Sequence, residues 1–539
     1  MTMTRLLLAA LVLHLVLIQP NHPAALSWQA LFLFPLEFPV ILFALMALGQ
    51  TAASRIVRMV LTAVLTGLVA LKAADFVSFT ALSRGFNPVT DLSLIDAFIR
   101  LLTGSVGVPV TLLIGVASLA LILLIAWLIW WATGIWARLA LPRIARLAAI
   151  PLTLLSAGVA TAEIGQALNQ WSLPATPPGA AFTARVGVER IEMIRETRAR
   201  LAAFDLAASE DPFTNTTGLF EVIDRDVLVI FIESYGRTSF DTPFYADTHR
   251  ATLESAEARL SDLGLSMQSG FLTSPTQGGQ SWLAHTTFAN GLWVDNQISH
   301  AAALASGRST LYHHAAANGF RTATLMPQIT LDWPEADMMG FEDVLVAADT
   351  GYAGLPFNWV TMPDQFTLAT LDRLLRDGSD TRRLFAQVAL VSSHAPWTPV
   401  PELLPWSDIS DGTEFNEMAQ AGDPPEVVWR DHDRVRAQYR LAVDYSLQVV
   451  FNYAALHAEN PPLIIALGDH QAAGFIALDE RAEVPIHVIG PEALVSRLTP
   501  LAPTLGLLPP SDAPAIGMEA ARDIFLRAFQ VEDVNELGN

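Results

Sequence analysis

The long apolar runs of this chain all fall within roughly its first 170 residues, and that placement limits the fold more than any other feature. A bilayer hydrocarbon core takes about 20 consecutive apolar residues per helical crossing. Stretches near 6–20, 29–49, 59–78, 108–131 and 147–165 approach or reach that length, so about five spans are expected. Arginine is distributed unevenly between the loops. Arg5, Arg55, Arg58, Arg138, Arg143 and Arg146 fall on one side of a five-span bundle, and only Arg84 and Arg100 on the other. The positive-inside rule then puts the N-terminus in the cytoplasm and the long C-terminal part outside it. Trp127, Trp130, Trp131 and Trp136 are placed at the cytoplasmic interface. The first span resembles a signal-peptide core, but four later spans make cleavage unnecessary for export, and an uncleaved helix is expected. The expected location is therefore the inner (plasma) membrane, multi-pass, with the C-terminal part on the periplasmic side.

The remainder reads differently. Residues 171–182, WSLPATPPGAAF, form a proline-rich break, and 184–208 form a charged, helix-like connector. From about residue 216, short apolar runs alternate with helical segments, the pattern of a mostly parallel sheet with helices on its faces. The expected fold is an α-helical membrane domain over 1–168, a linker and connecting helix over 169–215, and an extracytoplasmic α/β domain over 216–539. Residues 401–432 are acidic and weakly periodic, which suggests a surface insertion or flap. Residues 517–529 look like a closing amphipathic helix. The chain has no cysteine, which excludes disulfides, a thiolate nucleophile and thiolate metal sites. Its net charge of -21 argues against nonspecific nucleic-acid binding, so no nucleic-acid partner is expected.

The strand candidates are 227–232, 321–326, 385–391, 463–467 and 484–489, and three of them run straight into polar residues. VLVIFI leads into Glu233, FAQVALV into SSHAPW with His394, and LIIAL into GDHQ with Asp469 and His470. In an open α/β sheet, ligands bind in the crevice beyond the carboxyl ends of the strands. Taken singly, each residue is an ordinary loop or turn residue. Together, four acid or imidazole groups in one crevice need a cation to offset their crowding. This oxygen and nitrogen donor set suits one divalent metal, Mn²⁺, Zn²⁺ or Mg²⁺, rather than a soft one.

Residues 274–285, SPTQGGQSWLAH, place Ser281 after a glycine pair at the first turn of an apolar helix. Serine is a common helix cap. It is also a nucleophile when a metal lowers its hydroxyl pKa and a helix N-terminus favours an anion beside it. Such chemistry belongs to phosphoryl or sulfuryl transfer.

At these residues the chain resembles the lipoteichoic acid synthase and phosphoglycerol transferase group, within the alkaline phosphatase/sulfatase superfamily. The resemblance covers most of 216–495 and rests on FIESYG, the GGQS turn, SSHAPW, VDYSLQVV (443–450) and LGDHQ in this order. It extends to the five-span arrangement before them, with GFNPVTD (85–91) in an outer loop. The resemblance implies that Glu233, Asp469, His470 and Ser281 hold the metal, Ser281 standing where the synthases have threonine. It implies that His394 contacts the substrate phosphate. It also implies that a phospholipid headgroup passes through a covalent phospho-enzyme to an acceptor alcohol, here an extracytoplasmic glycan. The synthases carry a Trp-x-Arg element at the phosphoglycerol; here Trp333 is kept, but Glu335 replaces the arginine. An acidic group there would repel an anionic headgroup and suit a cationic one such as phosphoethanolamine, which puts phosphoglycerol specificity in doubt, unless Glu335 is only a helix N-terminal carboxylate.

Other residues have two readings each. His487 is an added phosphate or metal contact, or a packed core histidine; His285, one turn past Ser281, touches substrate or is structural. Lys72 and Asp75, near the outer end of the third span, form a local ion pair or guide lipid headgroups. A phosphodiesterase or sulfatase-like hydrolase acting on a soluble ester is the alternative enzyme. Against true sulfatase chemistry, Ser281 is followed by Trp-Leu-Ala-His, without the motif's arginine. A non-catalytic membrane receptor on the same fold is the third reading.

Overall fold

The computed structural model describes residues 3–531, apart from 83, 96, 97, 100, 101, 104–106, 176, 215, 331, 332, 334, 359–361, 378 and 379. Arg100 thus lies outside the described residues. The chain forms two compact units, Met1–Arg200 and Leu201–Asn539.

In the first unit all five apolar stretches are helical: α1 (Met3–Ile18), α2 (Glu37–Leu48), α3 (Ala52–Leu82), α4 (Val108–Ala137) and α5 (Arg143–Ala167). A sixth helix, α6 (Phe182–Ser209), covers the expected connector. Among the described residues, three helices, α3 to α5, are long and apolar enough to cross a membrane. The other two are shorter, at 16 and 12 residues. At 1.5 Å per residue, α2 reaches only about 18 Å. The second expected span is cut at its start because Phe34 precedes Pro35, which disfavours helical backbone at Phe34. Residues Trp28–Phe32 form a 3-10 turn instead. Ala9, Leu13, Leu17, Ile41, Leu45 and Ile129 meet in the small core of this unit.

Lys72 and Asp75 do not pair with each other. The Lys72 ammonium donates to the Leu17 carbonyl (3.3 Å) and to Thr183 Oγ1 (2.8 Å), and Asp75 takes Arg190 and the Phe86 amide. Residues three apart on a helix are neighbours, so the sequence suggests a local pair. The partners from α6 win because both side chains are buried and need full hydrogen bonding. The loop 85–91 is tied down in the same way: Arg84 grips Asp91 through two bonds of 2.8 and 2.9 Å, and Asn87 donates to Thr197.

The second unit is built on one mixed sheet. Its strands are β1 (Val227–Ile232), β2 (Ser266–Thr273), β3 (Arg321–Met326), β4 (Asp343–Val346), β5 (Leu384–Leu390), β6 (Leu463–Gly468), β7 (Glu483–Gly490), β8 (Thr504–Leu505) and β9 (Ala515–Gly517). The order is β4-β3-β5-β1-β6-β7-β2-β8, with β9 on β2. The five strands expected from sequence are all present. Four of them, β3, β5, β1 and β6, are parallel neighbours, while β7 runs antiparallel to β6. Every residue of β1 is buried, with Leu228, Ile230 and Ile232 in one core cluster and Val227, Val229 and Phe231 in another. A strand alternates its side chains between faces, so a wholly apolar strand must be covered on both. The helices used below are α7 (Pro243–Asp262), α8 (Ser281–Asn290), α9 (Asp364–Leu371), α10 (His432–Leu456) and α11 (Ala520–Ala528). The acidic stretch 401–432 is not a bare flap. It forms short helical turns, and Phe415 is buried with Phe357, Met362 and Phe366 in a small cluster of their own.

Candidate active site

The register of the central strands places the site. Ile232 at the end of β1 lies opposite both Leu390 at the end of β5 and Gly468 at the end of β6. Glu233, the turn carrying His394, and Asp469 with His470 therefore leave the sheet at one edge. Glycine at 468 is required there, since a Cβ would stand 1.9 Å from the Tyr235 carbonyl oxygen.

Glu233, Asp469 and His470 are all buried, and one ligand atom from each lies within 4.8 Å of the others. His470 Nε2 sits 3.1 Å from Glu233 Oε1. Asp469 Oδ1 accepts the amides of Ser234 (2.9 Å) and His470 (2.6 Å), which locks its carboxylate. Burial acts to raise the Glu233 pKa, but the charges of His470 and His394 outweigh it and hold the carboxyl below its usual range. Asp469 is pushed up to about 7 by burial and by the Glu233 charge beside it. For His470, burial acts downward, but the Asp469 and Glu233 charges win and raise it to about 9.

The His470 ring reports what this cluster lacks. Its Nδ1 lies 3.0 Å from the Gln471 carbonyl and must donate to it, because a carbonyl only accepts. In the neutral ring Nε2 is then a bare lone pair facing a carboxylate oxygen. Nε2 is buried with no hydrogen-bond partner among the described residues. Such a lone pair between two carboxylates fits a cation; without one the ring must take up a proton, which is the sense of its raised pKa.

Ser281 is the first residue of α8, and the residue at the cap position is Gln280, in left-handed backbone with φ 67°. The serine hydroxyl is thus not a cap. It donates to Glu233 Oε2 at 3.1 Å, which brings it to the cluster. Gly279, at φ 142°, supplies backbone that a side chain resists, and Ser234, next to Glu233, holds a left-handed φ of 58° despite its side chain.

His394 is exposed at the end of its turn, its Nδ1 2.6 Å from the Ala395 carbonyl. His487 is placed elsewhere. It is wholly buried on β7, with Ser269 Oγ 2.7 Å from Nδ1 and Tyr235 Oη 3.0 Å from Nε2. Both ring nitrogens are used by core side chains. Trp333 is half-buried against the second core cluster, its ring 6.4 Å from Phe341, and Glu335 is exposed just before the short helix Ala336–Met339. Neither is brought to the cluster by a described contact. His285 lies beneath it, its ring 4.1 Å from Phe231 and its Nε2 buried without a described partner. Burial holds its pKa down at about 3.

Sequence reasoning missed the residues that hold the site together. Ser393 Oγ donates to the Glu233 carbonyl at 2.6 Å. Ser446 Oγ on α10 donates to Asp364 Oδ2 at 2.6 Å and stands 3.3 Å from Ser393 Oγ. Asp364 Oδ1 accepts the amides of Val391 (2.7 Å) and Ser392 (2.8 Å), fixing the turn that carries His394. Tyr439 Oη, also on α10, donates to the Ser234 carbonyl at 2.8 Å. Two of these were in view, Ser393 beside His394 and Ser446 inside VDYSLQVV; nothing local marks Asp364.

No family model and no curated protein matches this sequence. Among solved structures, the chain is similar to the integral membrane protein lipooligosaccharide phosphoethanolamine transferase A (EptA) from Neisseria meningitidis. That likeness covers 96% of this chain and 95% of that one at 11% identity, with a TM-score of 0.47. It is similar to the lipoteichoic acid synthase LtaP from Listeria monocytogenes over 54% of this chain and 72% of that one, at 12% identity and TM-score 0.35. It is also similar to the phosphoglycerol transferase GacH from Streptococcus pyogenes, solved with sn-glycerol-1-phosphate. The figures there are 62% and 91% coverage, 14% identity and TM-score 0.32.

Proposed function

We propose that this chain is a membrane-anchored, metal-dependent transferase that moves a phospholipid headgroup, phosphoglycerol or phosphoethanolamine, onto an extracytoplasmic glycan. The observation that carries the reading is the Ser281 hydroxyl bonded to Glu233 inside the Glu233, Asp469 and His470 cluster. Those four residues would hold one divalent cation, Mn²⁺ before Zn²⁺ or Mg²⁺, through oxygen and nitrogen atoms. When bound, it supplies positive charge that favours the Ser281 alkoxide and offsets charge on a phosphoryl oxygen.

The residues of the chain do the rest. Ser281 Oγ attacks phosphorus; its bond to phosphorus forms as the bond from phosphorus to the diacylglycerol oxygen breaks. The serine proton passes first to Glu233 Oε2, its hydrogen-bond acceptor. The departing oxygen takes a proton, for which exposed His394 is the donor in this scheme. In the second half an acceptor hydroxyl gives its proton to His394, which lost one in the first half, and attacks the phospho-serine; the bond from phosphorus to Oγ breaks, and Ser281 recovers its proton from Glu233 Oε2. The Ser393, Ser446 and Asp364 chain keeps Glu233 and the His394 turn in register. The three long apolar helices support a multi-pass inner-membrane location, and a lipid donor gives a reason for the tether.

The test uses full-length protein in detergent with Mn²⁺, given phosphatidylglycerol or phosphatidylethanolamine, with diacylglycerol release followed for wild type and Ser281→Ala. Serine-dependent release from one lipid is expected. Release that survives Ser281→Ala overturns the mechanism. Silence on both lipids while a soluble phosphodiester is cleaved replaces the transferase with a hydrolase.

A further inference from the structure

The first unit contains a cavity of about 400 Å³ made only from its own residues. It lies among the end of α1, the segment that follows it, the body of α3, the end of α5 and the start of α6. Lys72, Arg185, Glu189 and Gln19 contribute the polar lining, and Ile18 and Val186 part of the apolar lining. Lys72 is only 1% exposed. Its described hydrogen bonds, to Leu17 and Thr183, use two of the three donors of an ammonium. The Arg185 guanidinium is held more loosely, 3.6 Å from Glu163 and 3.8 Å from Glu189, both beyond hydrogen-bond length.

Two nearby carboxylates each spend one oxygen on backbone amides. Glu37 Oε1 accepts the amides of Thr183 (2.7 Å) and Ala184 (2.8 Å), and Glu163 Oε2 accepts that of Ala181 (2.9 Å). Both therefore face the opening turn of α6. A lysine buried within a membrane unit marks a candidate ligand site by default. A second observation points to the kind of ligand. The segment that lines the cavity through Ala25, Ala30 and Leu33 leaves Leu26 69%, Trp28 85% and Phe32 87% exposed. Large apolar side chains on a short turn beside charged groups are suited to the bilayer interface. A cation-floored cavity next to such a strip matches an amphiphile with an anionic head. Its volume takes a headgroup and leaves two acyl chains outside.

We propose that this cavity binds the phosphate of a membrane glycerophospholipid, with Lys72 and Arg185 on the phosphate and the Leu26, Trp28 and Phe32 strip against the acyl chains. The inference goes beyond the transferase reading and does not rest on it, because the lipid is held here whether or not Ser281 acts on it.

The experiment places the photoreactive residue p-benzoylphenylalanine at Leu33 in full-length protein carrying Ser281→Ala, so that turnover cannot alter the result. Phosphatidylglycerol is titrated in mixed micelles, and the lipid adduct is measured by intact mass. Saturable adduct formation is expected. In Arg185→Gln the half-saturation point should rise about tenfold or more, the scale of a lost charged hydrogen bond, while Arg185→Lys stays within about threefold of the parent. Lys72→Met should act likewise; if it fails to fold, the half-exposed Arg185 decides alone. Diacylglycerol, which lacks phosphate, should give no saturable adduct. Equal half-saturation in parent and Arg185→Gln would mean ordinary surrounding lipid and overturn the proposal. Full competition by soluble glycerol 3-phosphate would mean a free-phosphate site and overturn the lipid assignment.

Discussion

Replacing Asp364 tests whether the turn carrying His394 is held from behind. The side chain is fully buried and accepts three hydrogen bonds: the Val391 and Ser392 amides on Oδ1 and the Ser446 hydroxyl on Oδ2. Asp364→Ala strands two buried amides at about 1–3 kcal/mol each, so a loss of about 4 kcal/mol is expected. Asp364→Asn keeps an oxygen for both amides and turns only the Ser446 contact around. Burial already acts to raise the Asp364 pKa, so an uncharged amide is tolerated, and about 1 kcal/mol is expected. For a unit of roughly 340 residues the unfolding entropy is about 0.7 kcal/mol/K, so the two losses correspond to Tm decreases of about 6 and 1–2 °C. Thermal unfolding in detergent reads both. The same samples should show kcat down about tenfold or more for alanine and little changed for asparagine, because the loosened turn carries His394 and the Ser393 contact to Glu233. Alanine within about 1.5 °C of wild type, or asparagine as damaging as alanine, would refute the argument.

Three further outcomes follow from the site and core. Ser281→Thr should keep measurable phospho-enzyme formation, since it retains the hydroxyl, whereas Ser281→Ala should show none by intact mass; equal loss in both would deny the hydroxyl its role. Removing divalent metal with a chelator should abolish turnover and lower Tm, and Mn²⁺ at about 100 times its Kd should restore about 2.7 kcal/mol of stability; an unchanged Tm would mean the cluster holds no ion. Burial holds His249 down at about 4 and His487 at about 3. Their folded pKa values lie below the unfolded value of about 6.5, so the unfolded chain binds more protons and stability falls as pH drops below it. Each histidine takes about 1.4 kcal/mol per pH unit, levelling off near its folded value. Tm measured from pH 7.5 to 4.5 should fall, and less steeply in His249→Gln; a flat profile would contradict the buried neutral histidines.

The strands that build the site were legible because each is a short apolar run ending in a polar residue, as in VLVIFI before Glu233. The missed strand β2, SMQSGFLT, has polar residues on buried positions, and only partners distant in sequence make that acceptable: Thr499 for Gln268, and His487 and Gly506 for Ser269. His487 illustrates the same limit. Its place next to a ligand-bearing strand left two readings, and Ser269 and Tyr235, distant in sequence, occupy its nitrogens.

The division into an apolar helical part and an α/β part could be read from the residues alone, because burial of apolar runs depends on composition and period. The sequence also set the order of the polar residues at the strand ends, which the parallel register of β5, β1 and β6 turns into a single cluster. Tertiary structure decided the rest. That Ser281 bonds Glu233 rather than capping its helix, that Asp75 pairs with Arg190 rather than Lys72, and that Asp364 holds the His394 turn all depend on long-range partners. A buried polar group must find a partner, and among many chemically equivalent candidates along a chain, only the packed fold selects which one is within reach.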